Sequence, residues 1–310
     1  MQKERVVIIG SGPAGLSVAL YTARAQLNPL VIAGTMIGGQ IAITHEIENY
    51  PGFFSKESTP TGPELVEVMQ TQAEHFGARL AYDEVVEVDF SKGSPFTIKT
   101  YSDEFLADAV VVCAGASPRH LNVPGEEELI GRGVSYCGTC DGFFFRGKDV
   151  VVVGGGDSAM EEGLFLTRFA NKVEVIHRRD ELRAGPTLQR RAFENDKMSF
   201  VWDTVIDEII GNGTVTGVKV TNRHTGEVEN RETDGVFIFI GHYPNSKFLE
   251  GQLAMDEHGY VITDELMRTN VPGVFAAGEI QDPIYRQVAT SVGQGAAAGM
   301  QLERWLSEQE

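Results

Sequence analysis

Apolar and polar positions along this chain change period several times, and each change marks an element. The run over 6–9 is continuously apolar, as in a strand buried on both faces. It passes through the glycine-rich turn GSGPAG into LSVALYTARA, which reads as a helix. The same order returns from Asp149 in DVVVVGGGDSAMEEGLFLTRFA, followed by a further strand over 172–176. Between these units lie strand-like pieces over 79–88 and 96–101, then an apolar strand over 109–113 and the turn AGASP, with Pro118 and Pro124 as punctuation. After the second unit, DGVFIFIGHYPN repeats the design of AVVVCAGASPR: an apolar strand, a glycine turn and a nearby proline. The C-terminal stretch, NVPGVFAAGEI then IYRQVATSVGQGAAAGMQLERWL, reads as a strand, a loop and a small-residue helix without a glycine fingerprint of its own. It completes the first module and makes the second an insertion. A length of 310 residues suits two such cores.

The two glycine turns point to two different dinucleotides. Gly10, Gly12 and Gly15 satisfy GxGxxG, in which the first glycine allows the tight turn, the second admits a pyrophosphate, and the third lets helix and strand pack closely. An NAD site would close its second strand with an acid that binds the ribose hydroxyls. Here that strand, LVIAG, ends in Ala33 and Gly34, which counts against NAD and leaves a flavin dinucleotide open. The second fingerprint is Gly154, Gly156 and Ala159, and its second strand ends in His177, Arg178 and Arg179, with Arg183 a helical turn later. Guanidinium groups bind phosphate through paired charged hydrogen bonds, so this cluster fits the 2′-phosphate that distinguishes NADPH from NADH.

Charge and cysteine content narrow the picture. A formal charge of −18 disfavours nucleic acid and anionic membranes as partners. No apolar run approaches the roughly 18 residues of a membrane span, and the first residues carry no signal-peptide pattern, so a cytoplasmic location is expected. Of three cysteines, Cys113 sits in the apolar run VVVCAG and reads as a buried small hydrophobe. Cys137 and Cys140 form a CxxC followed by Asp141, a spacing that lets two thiols close a disulfide where the backbone turns or starts a helix. Half a zinc site is the competing reading, but neither a second CxxC nor a paired histidine motif accompanies it. His45, His75, His120, His224, His242 and His258 show no metal spacing either.

Taken in order, these residues resemble the low-molecular-weight NADPH-dependent thioredoxin reductases along nearly the whole chain. The resemblance rests on GSGPAG, GGQ at 38–40, ENYPG at 48–52, CGTCDG at 137–142, GGGDSA at 154–159, HRR at 177–179, GHYPN at 241–245 and YRQVATS at 285–291. It implies an α/β fold of two Rossmann-like, three-layer ββα dinucleotide-binding domains, with an NADPH domain over 118–243 inserted into an FAD domain made of 1–117 and 244–310. Around FAD it places Gly10, Gly12, Pro13, Ala14, Gly15, Gly39, Gln40, Asn49, Gly115, Gly278, Glu279, Arg286, Gln287 and Val288. Around NADPH it places Gly154, Gly156, Asp157, Ser158, Ala159, His177, Arg178, Arg179 and Arg183. Cys140 would face the flavin, Cys137 would attack the disulfide of a thioredoxin-like protein, and Asp141 would handle the proton. A homodimer is implied as well. Three positions depart from the family pattern: Ala114 for threonine, Gly138 for alanine and Glu279 for aspartate.

Other functions remain compatible with parts of this pattern. A flavin-dependent dithiol oxidase or ferredoxin-linked thiol reductase of the same fold would leave His177, Arg178 and Arg179 without a purpose. A redox sensor that holds FAD and NADPH would differ in turning over slowly. Because the CxxC and the second glycine turn share one inserted module, turnover is expected to rotate that module relative to the rest.

Overall fold

In the computed structural model, which describes residues 1–34, 36–44 and 46–309, the first apolar run forms β1 (Gln2–Ile9), and the glycine turn leads into α1 (Pro13–Arg24). β2 (Leu30–Ile32), α2 (Gly62–His75), β3 (Arg79–Ala81), β4 (Val85–Asp89), β5 (Phe96–Thr100) and β6 (Glu104–Val112) follow. β3, β2, β1 and β6 pair in parallel, and β4, β5 and β6 pair antiparallel. The strand-like stretch 79–88 is thus two strands at opposite ends of the sheet order. Asp83 breaks it: its carboxylate accepts the N–H groups of Glu84 and Ser102, and its carbonyl accepts that of Gly34. These local bonds replace the ladder a continuous strand would need.

β7 (Ala116–Pro118) leads into the insertion, which contains β8 (Val134–Ser135), α3 (Gly138–Asp141), β9 (Asp149–Val153), α4 (Asp157–Leu166), β10 (Lys172–Ile176), α5 (Pro186–Phe193) and β11 (Met198–Val201). β12 (Thr204–Gly211), β13 (Val215–Asn222), β14 (Val228–Glu232) and β15 (Gly235–Ile238) complete it. The parallel sheet runs β11-β10-β9-β15-β8, and β12, β13 and β14 form a separate antiparallel sheet. β16 (His242–Pro244) pairs with β7, after which β17 (Val274–Ala276) joins β6 and α6 (Val288–Ser307) ends the chain. The chain divides into two compact units, Met1–Ser117 with Tyr243–Glu310, and Pro118–His242.

Each unit is three layers deep because its central strands are apolar on both faces. On β1, Val6 and Ile8 pack with Val18 and Ala19 of α1 and Ala298 and Leu302 of α6, whereas Val7 and Ile9 pack with Phe96 and Ile98 of β5. On β9, Val150 and Val152 face Met160 and Leu166 of α4, and Val151 and Val153 face Ile206, Val218 and Val220 of β12 and β13. The small residues of α6 have a packing reason. A methyl group on Gly295 would lie 2.3 Å from the Ala14 carbonyl oxygen, so only glycine lets α6 approach α1 this closely. No helix among the described residues is long and apolar enough to cross a membrane.

Candidate functional site

The cysteine pair sits on one turn of helix. Cys137 has extended backbone (φ −141°) and caps α3, while Gly138 to Asp141 curl behind it. The two cysteines are joined by a disulfide, with Cα atoms 5.3 Å apart. Ser135 anchors the start of the turn, its hydroxyl accepting the Cys137 N–H at 3.0 Å and donating to the Cys137 carbonyl at 3.2 Å. Cys137 Sγ accepts the Cys140 N–H at 3.2 Å. Asp141 follows Cys140 on the same turn. Cys113 is buried and free, and burial pushes its thiol pKa far up, leaving it inert. No group of three or more His, Cys, Asp or Glu able to hold a metal occurs among the described residues, and His45 lies outside them.

In the unit containing both chain ends, the glycines fall into crowded and open positions. A methyl on Gly10 would lie 2.3 Å from the Cys113 carbonyl oxygen, and one on Gly15 would lie 1.9 Å from that of Gly10. At Gly12 the nearest atom would be the Gly38 oxygen, 4.0 Å away, so the space in front of this glycine is free. α1 begins there with Pro13, no side-chain cap and no acid in its first turn. An uncapped helix start beside an open cradle suits a pyrophosphate. Ser11 ties the cradle together, donating to Ala33 O at 2.7 Å and accepting the Gly38 N–H at 3.3 Å. A methyl on Gly39 would lie 3.8 Å from Gly12 Cα, Gln40 follows it on a short turn, and a methyl on Gly278 would lie 2.8 Å from Ala14 Cβ. Gly115 takes the left-handed φ of +69°, and its carbonyl accepts the Asn245 N–H.

The loop entering α6 closes on the same region. Asn49 donates to the Gln287 side chain at 3.2 Å, Arg286 takes φ +49°, and Gln287 is the uncapped N-terminal residue before Val288. Gln294 accepts the Gly278 N–H and donates to Asp282, which in turn accepts the N–H groups of Ile284 and Tyr285. Beside this network, burial pushes the Glu279 carboxyl up to about 7, with Arg286 opposing and Asp282 reinforcing the shift.

In the inserted unit, a methyl on Gly154 would lie 2.4 Å from the Phe239 carbonyl oxygen and 2.8 Å from Ala159 Cβ, whereas one on Gly156 would meet nothing within 4 Å. Gly156 is the uncapped start of α4, followed by exposed Asp157 and Ser158. Asp157 accepts the Gly185 N–H at 2.7 Å, and Gly155 O accepts those of Arg183 and Ala184, which brings Arg183 to the glycine turn. The His177 ring is buried directly over Gly155, and its Nε2 has no hydrogen-bond partner. Arg178, Arg179 and Arg183 around it are exposed.

This pairing of a redox-type disulfide with two uncapped glycine turns is matched along the sequence, where the profile of the pyridine nucleotide-disulphide oxidoreductases covers residues 4–295. The chain belongs to the pyridine nucleotide-disulphide oxidoreductase family. The thioredoxin reductase of Peptoclostridium litorale is 50% identical in an alignment of 309 positions that covers 98% of this chain and 97% of that one. The solved thioredoxin reductase of Streptococcus pyogenes MGAS5005 is 44% identical, covers 99% of both chains and superposes with a TM-score of 0.93. That of Lactococcus lactis, in its FR conformation, is also 44% identical and covers 98% of this chain and 99% of that one, yet its TM-score is 0.67. At equal identity and similar coverage, those two solved chains therefore differ from each other in overall arrangement.

As a pyridine nucleotide-disulphide oxidoreductase, the chain is an enzyme with a redox disulfide, which accounts for the one CxxC in an otherwise cysteine-poor sequence. Gly10, Gly115 and Gly278 follow the parallel strands β1, β6 and β17, and Cys137, Gly154 and His177 follow β8, β9 and β10. Sequence patterns do not reveal their supports. Ser11, Asp282, Gln294 and Glu162, which accepts the Thr139 N–H, are common residue types at no diagnostic spacing.

Proposed function

We propose that this oxidoreductase is a thioredoxin-disulfide reductase that moves electrons from NADPH, through FAD, to Cys137–Cys140 and then to the disulfide of a thioredoxin-like protein. The unit of Met1–Ser117 and Tyr243–Glu310 is its FAD domain, and Pro118–His242 its NADPH domain. The observation that carries the reading is that one unit holds both the CxxC disulfide and a glycine turn ringed by three exposed arginines. Gly12 and Gly156 have free space where a larger residue would project, which suits two dinucleotide pyrophosphates.

Bound FAD would supply the two-electron carrier between a nicotinamide and a disulfide. Arg178, Arg179 and Arg183 bind the 2′-phosphate and so select NADPH over NADH. Glu279, held partly protonated at neutral pH, can donate as well as accept a hydrogen bond toward the flavin's sugar chain. Once the pair is reduced, the Cys137 thiolate attacks the partner's disulfide and expels one partner thiolate. The Cys140 thiolate then attacks the mixed disulfide at Cys137, which restores the internal disulfide and releases a dithiol partner. Asp141, next to Cys140, holds the proton that the cysteine takes up or gives away. The same reading makes the protein a cytoplasmic homodimer.

The test is to purify the protein, record its visible spectrum, and follow NADPH and NADH oxidation with oxidised thioredoxin as acceptor. A flavin spectrum and thioredoxin reduction favouring NADPH are expected. A flavin without nucleotide-driven disulfide reduction would instead fit an oxidase or a ferredoxin-linked enzyme.

A further inference from the structure

The departure at residue 138 has a neighbour that explains it. α4 starts at the second glycine turn, and Glu162 on it reaches the redox turn, where its Oε2 accepts the Thr139 N–H at 2.9 Å. A Cβ on Gly138 would stand 2.4 Å from that same oxygen and 3.4 Å from both Glu162 Cβ and Phe239 Cζ. The carboxylate therefore fills the volume that an alanine at 138 would claim. Thr139, whose N–H it binds, lies between the two cysteines, and the Thr139 hydroxyl is 3.4 Å from Cys137 Sγ.

A carboxylate in this place acts in two ways. It satisfies one of the N–H groups that a single-turn helix leaves unpaired, which holds the backbone between the cysteines against α4. It also sets a negative charge where exposed N–H groups would otherwise favour a thiolate. The charged groups around the turn are Asp141 on it, Glu161 and Glu162 on α4, Arg168 just beyond α4, and Arg191 and Glu194 across a cavity of about 630 Å³ that Thr139 also lines. Of these charged groups, Glu162 accepts a hydrogen bond from the turn's backbone, at the Thr139 N–H.

We propose that Glu162 is a positioning residue for the cysteine pair: it fixes the 138–139 backbone and keeps the reduced thiols protonated to higher pH than the turn alone would. This rests on Cys137–Cys140 being the redox pair. Its consequence is a reduced pair with less standing thiolate and so less exposure to stray oxidants. It also gives glycine at 138 a function, because a methyl there would force Oε2 to shift from its place at the Thr139 N–H.

The experiment is the pH profile of iodoacetamide alkylation of Cys137 and Cys140, read by mass spectrometry on purified, reductant-treated protein. Glu162→Gln keeps an oxygen for the Thr139 N–H but loses the charge. It should lower the pKa of the more acidic thiol by about one unit. Alkylation near neutral pH should rise only about threefold, since a more acidic thiolate is a weaker nucleophile. Gly138→Ala should shift the profile the same way with Glu162 intact. A wild-type profile in Glu162→Gln overturns the proposal. A shift in Gly138→Ala without one in Glu162→Gln also overturns it, because the effect would then be backbone distortion and not charge. The readout needs neither thioredoxin nor nucleotide, so its failure is distinguishable from failure of the proposed activity.

Discussion

His177 is buried against Gly155, and burial lowers its pKa, with the charges of Arg183, Arg179 and Arg178 lowering it further against a backbone hydrogen bond at Glu181. A neutral, enclosed ring brings no charge to a phosphate at neutral pH. On the proposed function, discrimination by charge would therefore belong to the exposed guanidinium groups of Arg178, Arg179 and Arg183. In an Arg178→Ala, Arg179→Ala double variant, each lost phosphate contact should cost roughly 1.5 to 3 kcal/mol. The cost should be read as a higher KM for NADPH with the NADH value little changed, whereas a wild type indifferent between the nucleotides contradicts the assignment. Glu279 gives a second test. Its folded pKa of about 7 lies above the ordinary 4.5, so the folded state binds more protons between those values, and stability falls as pH rises through that window. Urea unfolding of flavin-stripped protein across this pH range should show the decline, and Glu279→Gln should flatten it.

At the scale of elements, the two kinds of glycine position make opposite predictions. Gly15→Ala drives a methyl to within 1.9 Å of the Gly10 carbonyl oxygen, and neither backbone can yield without parting α1 from β1. A loss of more than about 2 kcal/mol of stability is expected from such overpacking. Gly156→Ala adds a methyl to open space at an ordinary φ of −95°, so stability should stay within about 0.5 kcal/mol while the KM for NADPH rises. Denaturant unfolding beside nucleotide titration separates the two. Much of this was legible from the chain itself, because a buried strand, a glycine turn and a helix form one contiguous pattern, and α6 announces close packing through its small residues. Other features depend on contacts distant in sequence. The one-turn helix α3 is too short to show a period. Glu162 meets Thr139 across 23 positions, and Gln294 meets Gly278 across 16. β12 and β13 pair across a register shift between Ile206 and Glu208, and an interrupted alternation of this kind marks no strand. Asp83, an ordinary acid by sequence, ends a strand by capturing its neighbour's amide and that of Ser102, which only the folded chain brings to it.

For the whole molecule, the inserted unit is tied at its base by the Arg119 N–H on the Gly241 carbonyl, and the other unit by the Asn245 N–H on that of Gly115. The two crossings between them are short. The disulfide and the nucleotide turn share the insertion, while on the proposed function hydride transfer and disulfide reduction would each need the same flavin ring, within about 3 to 3.5 Å for the hydride. On the proposed function, rotation of the insertion between two orientations would meet both needs. A crosslink that holds the insertion with its disulfide at the flavin should block flavin reduction by NADPH, and undiminished reduction in a verified locked sample contradicts the rotation. The central claim, that electrons leave through Cys137–Cys140, is tested most directly with Cys140→Ser. Anaerobic NADPH should still bleach the flavin absorbance of this variant, while thioredoxin reduction falls to background; thioredoxin reduced at the wild-type rate would contradict the account.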